Sequence, residues 1–178
     1  MTTVYTLGHS TRDLAEFSRV LQAHEVRLLA DIRAFPMSRR YPHFHRDHLE
    51  LWLPEIGLEY VWEKDLGGRR GRHMSRDESP NVALRVEAFR NYADYMLTPP
   101  FELAVGRLVE RAARQRTAIM CAEHLYFRCH RMLVSDYLVS RGHQVLHILD
   151  EKPPKEHSLT KEARMSDGKL VYRGDYLL

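Results

Sequence analysis

Short apolar runs alternate with amphipathic segments along most of the chain. Val4–Leu7 is β-branched and aromatic and stops at Gly8, which predicts a buried strand. Leu14, Phe17, Val20 and Leu21 then recur at helical spacing, so a helix capped by Ser10 or Thr11, with Asp13 in its first turn, is expected. Val26–Ile32 reads as a second strand. Strand, helix and strand at this spacing predict a parallel βαβ unit. Phe35–Arg46 holds two prolines and no period, and reads as a long loop. Leu49, Trp52, Leu53 and Ile56 mark a second helix ended by Gly57, followed by a third strand over Leu58–Trp62.

Beyond a second loop, Gly67–Pro80, the residues Phe89, Tyr92, Ala93 and Met96 give a third helical face. Thr98-Pro99-Pro100 ends that helix and opens a fourth, whose apolar stripe runs from Phe101 to Ala112. Thr117–Cys121 is a fourth strand, Cys129–Arg141 a fifth helix stopped by Gly142, and Gln144–Leu149 a fifth strand. Past Pro154 the character changes, and Asp167-Gly168 between extended stretches predicts a hairpin. The expected fold class is α/β: an open, mainly parallel sheet of about five strands with helices on both faces and a small C-terminal hairpin. Residues 1–154 are expected to form a single α/β domain. Residues 155–178 are expected to be an appendage, a hairpin packed on that domain.

The 178 residues are 44% hydrophobic and 29% charged, which is ordinary globular usage and excludes a disordered, collagen-like or coiled-coil chain. No apolar run approaches the ~20 residues of a membrane span. No basic segment followed by an apolar stretch opens the chain, so no membrane partner and a cytoplasmic location are expected. Net charge is only +3, but it is unevenly spread. Arg33–Arg46 holds four arginines and no acid, and Gly67–Arg76 holds four more and again no acid. Such clusters, rather than the total charge, attract anions, and guanidinium forks suit phosphate.

Ligands of open α/β sheets bind outside the carboxyl ends of the strands. The first strand ends at Gly8-His9-Ser10, with Arg12 beyond, and the second at Asp31-Ile32-Arg33. The third leads to Leu66-Gly67-Gly68, and the fourth ends at Cys121-Ala122-Glu123. Cys129-His130-Arg131 follows. At a helix start between Arg128 and Arg131, Cys129 has the better electrostatic case for a reactive thiolate, and Cys121 has the better position. Packing is the common fate of free cysteines and the alternative for both. A metal site from Cys121, Cys129, His130 and His9 has suitable ligand types, but the cysteine spacing is wider than a zinc knuckle, so a metal-free site is preferred. A phosphatase-type Cys-x5-Arg loop is excluded, because Arg128 comes one residue too late after Cys121. No phosphate-binding loop and no dinucleotide fingerprint occurs, so no cofactor is expected. His24, His143, His147 and His157 have no evident companions and read as surface or filler residues.

Taken in order, Thr6–Arg12, Asp31–Arg33, Pro36–Arg40, Leu66–Gly68, Phe89–Met96, and Cys121–Glu123 with Cys129–Arg131 resemble the bacterial domain-of-unknown-function 488 family. The match runs to about Ile148. It implies a small cytosolic α/β protein whose defining positions are the His-Ser-x-Arg turn, the Asp-x-Arg strand end, and the Cys-x-Glu and Cys-His-Arg elements. It implies no reaction. The residues themselves lead to an enzyme acting on a phosphate-bearing substrate, a nucleotide or nucleic acid. Ser10, Arg12, Arg33, Ser38, Arg39, Arg40 and Arg131 are expected to bind the anion. Glu123 or Asp31 is the candidate acid–base group, Cys121 or Cys129 the candidate nucleophile, and His9 and His130 the supporting imidazoles. The alternative is a non-catalytic nucleic-acid or nucleotide module, which needs the arginines with Tyr41, Phe44 and Trp62 for stacking, but neither the thiols nor Glu123.

Overall fold

In a computed structural model, which describes residues 1–174, the alternation is realised as β1 (Thr3–Gly8), α1 (Leu14–Ala23), β2 (Leu28–Asp31), α2 (Arg46–Glu55) and β3 (Glu59–Trp62). These are followed by α3 (Glu87–Tyr95), α4 (Pro99–Arg114), β4 (Thr117–Cys121), α5 (Arg131–Ser140) and β5 (Gln144–His147). The tail adds β6 (Lys155–Glu156), β7 (Ala163–Ser166) and β8 (Lys169–Tyr172). The main sheet has the order β3-β2-β4-β1-β5-β6, parallel except for β6, which runs antiparallel to β5. The α/β class, the mainly parallel sheet and the C-terminal hairpin stand as expected. Among the described residues, no helix is long and apolar enough to cross a membrane.

Strand residues alternate between two cores, because successive side chains leave opposite faces of the pleat. Leu7, Leu29, Ala118 and Met120 pack with Phe17, Leu21, Leu49 and Leu53 of α1 and α2. Val4, Ala30, Ile119 and Val145 pack on the other face with Tyr92, Phe101, Leu108 and Leu133 of α3, α4 and α5. Connections leaving β1 and β2 therefore pass to one face, while the connection leaving β4, the strand between them, passes to the other. The crevice that such divergence opens is centred on the end of β4, at Cys121.

Four local expectations are corrected. Asp13, not Ser10 or Thr11, caps α1, its carboxylate accepting the Glu16 N–H at 2.7 Å. Ser10 is instead in a left-handed conformation (φ +54°) and gives its N–H to the Ala122 carbonyl at 3.0 Å. Cys129 does not open α5: its backbone is extended after a 3-10 turn at Tyr126–Arg128, and the helix begins at Arg131. A sixth strand, β6, extends the main sheet beyond the expected five. Three of the four lone histidines, His24, His147 and His157, are also not filler. His24 is buried and donates to the Asp150 carbonyl at 2.7 Å. His147 and His157 lie in a buried chain in which Thr6 donates to His147, His147 to His157 (2.9 Å), and His157 to Asp136 (2.8 Å).

The Asp167-Gly168 turn has positive φ at both positions, +49° and +75°, the conformation that a two-residue hairpin needs. Its strand β8 returns Leu170 and Tyr172 to the core, and Tyr172 donates to Asp136 at 2.9 Å. Residues 175–178 of the expected appendage lie outside the described residues.

Candidate functional site

A cleft of about 1050 Å³ opens at the carboxyl ends of β1, β2 and β4. Its lining includes His9, Arg33, Ser38, Arg39, Cys121, Glu123, Cys129 and His130. Those eight candidates, drawn from three strand ends and two loops, are brought together. Ser10, Arg12, Asp31, Arg40 and Arg131 do not line it.

The absent arginines have other partners. Arg12 is buried and donates to the carbonyls of Gly8 (2.6 Å) and Leu149 (2.5 Å), closing the turn after β1. Arg131 is 1% exposed and donates to the carbonyls of Glu123 and His124, holding the segment after β4. Among the described residues, its guanidinium meets no carboxylate. Arg40 lies over the Tyr41 ring at 5.6 Å. Asp31 is fully buried beneath the cleft and makes an ion pair with Arg33 through Nε (2.9 Å) and Nη2 (2.5 Å). The Tyr60 hydroxyl also donates to Asp31, at 2.7 Å, and burial, with Asp31 beside it, raises that phenol above its ordinary range. Arg33 is thus neutralised from below and presents its remaining Nη1 to His9 Nε2 at 3.4 Å. His9 donates through Nδ1 to the Ser10 carbonyl and stacks on Phe44. Burial lowers its pKa to about 4, so the ring is neutral at pH 7.

Cys121, Cys129 and His130 meet at the inner wall. Their donor atoms all lie within 4.8 Å of one another. His130 Nδ1 is 3.4 Å from Cys129 Sγ and 4.0 Å from Cys121 Sγ, and Nε2 donates to the Ile32 carbonyl at 3.0 Å. The neighbouring Cys129, with burial, holds the Cys121 thiol well above the ordinary thiol range. The neighbouring Cys121, with the positive Arg131, holds Cys129 well below it.

The outer wall is basic. Arg39, Arg69 and Arg128 are exposed cleft residues, and among the described residues Glu123 is the one carboxylate in the lining. Arg69 leans on the Phe35 ring at 5.7 Å. Phe35, Met37 and Phe89 add apolar surface. Arg69 lies in the acid-free loop 67–76 and Arg128 beside Cys129, both marked in the sequence, but neither they nor His45 and Gly68 are among the expected site residues. The double glycine at positions 67 and 68 was the one signal for the last of them. His45 offers none, since its role, donating to the Ser38 carbonyl at 2.8 Å, depends on how the loop closes.

Fold and site define a class: a doubly wound α/β protein with a thiol–imidazole cluster inside an arginine-rimmed cleft. The family described as Domain of unknown function DUF488 matches residues 13–138, and the chain belongs to it. The matched span contains Asp31, Arg33, Gly68, Cys121, Glu123 and the Cys129–Arg131 segment, while the turn at residues 8–12 precedes it. Comparison with curated proteins gave no match, and comparison with solved structures gave none.

Proposed function

We propose that the cleft binds a phosphate-bearing small molecule of nucleotide size, and that the chain is an enzyme acting on it at the Cys121–Cys129–His130 cluster. One observation carries the reading: Arg39, Arg69 and Arg128 rim the same cleft whose inner wall is the thiol–imidazole cluster. None of the three makes an ion pair among the described residues, so their charge is available to an anion. The volume suits an organic ligand, and Phe35, Met37 and Phe89 supply the apolar contacts a base or similar ring needs. Glu123, exposed beside Cys121, is placed for acid–base work; His9, neutral and buried, is placed to orient rather than to carry charge.

The test is calorimetric titration with nucleoside mono- and diphosphates at low salt. Arg39→Ala, Arg69→Ala and Arg128→Ala should each weaken binding by about 10-fold or more, since a hydrogen bond to a charged group contributes ~1.5–3 kcal/mol. Equal binding by all three variants, or none by the wild type, overturns the reading. A non-catalytic nucleic-acid module is the second reading, favoured by Phe35 and Met37, which are 67% and 72% exposed at the rim. It predicts steeply salt-dependent binding of single-stranded nucleic acid that is indifferent to substitution of the cysteines.

A further inference from the structure

We propose that Cys121, Cys129 and His130 are a metal site for a thiophilic divalent cation, Zn²⁺ in the first instance, with an open coordination position facing the cleft. Two thiolates and one imidazole plus an open position form one of the donor sets of catalytic zinc. Tetrahedral zinc, with Zn–S near 2.3 Å and Zn–N near 2.0–2.1 Å, places sulfur and nitrogen ligands about 3.6 Å apart. The observed Sγ···Nδ1 separations, 3.4 and 4.0 Å, bracket that value.

The surroundings prepare the donors. His130 Nε2 is engaged by the Ile32 carbonyl at 3.0 Å, which leaves Nδ1, the ring atom on the side of both sulfurs, as the one to ligate. The Arg131 backbone N–H points at Cys129 Sγ (3.5 Å), the kind of outer contact that fixes a ligating thiolate. Gly68 leaves the Nδ1 side of the ring open: a Cβ there would sit 2.4 Å from Nδ1. All three side chains line the cleft, which gives the cation a route in. The 3-10 turn at Tyr126–Arg128 folds Cys129 back beside Cys121, so the wide sequence spacing does not keep the ligands apart.

Two thiolates balance a divalent cation, and the buried Arg131 guanidinium leaves the centre with net positive charge. A metal here would therefore favour an anion at its open position and polarise a phosphoryl oxygen or a bound water. That last role rests on the phosphate reading; the metal site does not.

The experiment uses the full chain, reduced and treated with chelator, and titrated with Co²⁺ as a spectroscopic substitute for Zn²⁺. The expected result is one Co²⁺ per chain, a sulfur-to-cobalt charge-transfer band, tetrahedral d–d bands, and displacement by Zn²⁺. Zinc should also protect both thiols from iodoacetamide. Cys121→Ser and Cys129→Ser should lose the charge-transfer intensity of the missing sulfur. Gly68→Ala, which keeps all three ligands, should weaken binding about 10–100-fold, as loss of ligand orientation does. Thermal melts check that each variant folds; if Cys129→Ser does not, the half-buried Cys121→Ser and the chelated wild type still decide. A folded, reduced wild type with no charge-transfer band overturns the site, as does binding unchanged in Cys121→Ser. Inorganic phosphate is then titrated into chelated and zinc-loaded protein. Phosphate binding without zinc uptake removes the metal and keeps the cleft reading; zinc uptake without phosphate binding does the reverse.

Discussion

Gly68 faces the His130 imidazole so closely that a Cβ at position 68 would lie 2.4 Å from Nδ1 and 2.8 Å from Cγ and Cε1. The ring has no easy retreat, because its far nitrogen is bonded to the Ile32 carbonyl and Tyr92 lies at 5.1 Å between ring centres. The loop after β3 and the cysteine segment after β4 are thus fitted to each other at one contact, and that contact fixes where Nδ1 points.

Gly68→Ala should cost about 1–3 kcal/mol, the usual penalty for overpacking a filled site. His130→Ala in the same chain should recover part of it, since the colliding ring is gone. A double-mutant cycle in urea checks this. Additive losses would show that the two residues do not compete for space.

Gly8→Ala should be worse. The added Cβ would meet the Glu123 carbonyl oxygen at 1.8 Å, backbone against backbone, with no rotamer to turn away. The expected loss is above ~4 kcal/mol, beyond the common range for single substitutions. Gly106→Ala in α4 meets nothing within 4 Å and should be neutral or stabilising by up to ~1 kcal/mol. Soluble yield and melting temperature of the pair separate steric conflict from a general intolerance of alanine.

Stability should fall as pH drops below about 6.5. Burial lowers His9 to about 4 and His147 to about 3, from an ordinary 6.5. Between those folded values and 6.5, the unfolded chain binds a proton at each position that the folded chain refuses. Each histidine therefore removes ~1.4 kcal/mol per pH unit over its window, and neither contributes above it. Urea denaturation of wild type and His147→Gln at pH 7.5, 6 and 5 checks this: the variant should show a slope shallower by one proton, whatever its absolute stability.

The Asp31–Arg33 pair should be needed intact. Asp31→Asn leaves the Arg33 cation, 5% exposed, without its counter-charge, and should cost ~3–5 kcal/mol. Tyr60→Phe removes one donor to the same carboxylate and should cost less, ~1.5–3 kcal/mol. Chemical denaturation at pH 7 orders the two; equal losses would mean that Tyr60 rather than Arg33 satisfies Asp31.

The sequence by itself determined the layers. Strand runs with both faces apolar, separated by helices with one apolar stripe, have few ways to bury their surface, and the observed sheet is one of them. Asp167-Gly168 was equally legible, because few residue pairs accept positive φ twice. The strand-end rule points to His9, Arg33, Cys121 and Glu123, which line one cleft, and also to Ser10 and Asp31, which do not. The apolar pattern missed β6, two exposed residues with no pattern to read, and the start of α5, where the extended backbone of Cys129 follows from the preceding turn.

Only the tertiary structure decided which polar residues face the cleft. Arg12 and Arg131 look like Arg39 in the sequence, yet they are buried against main-chain carbonyls while Arg39 is exposed at the rim. Asp31, a candidate base by position, is spent on Arg33 and Tyr60 below the surface. The three donors of the thiol–imidazole cluster come together because the segment after β4 is tied down by its carbonyls: Arg131 donates to those of Glu123 and His124, and the His9 and Ser10 N–H groups donate to those of Cys121 and Ala122. Local sequence sets which elements form; the pairing of every buried donor and acceptor, a property of the whole fold, sets which side chains remain for a ligand.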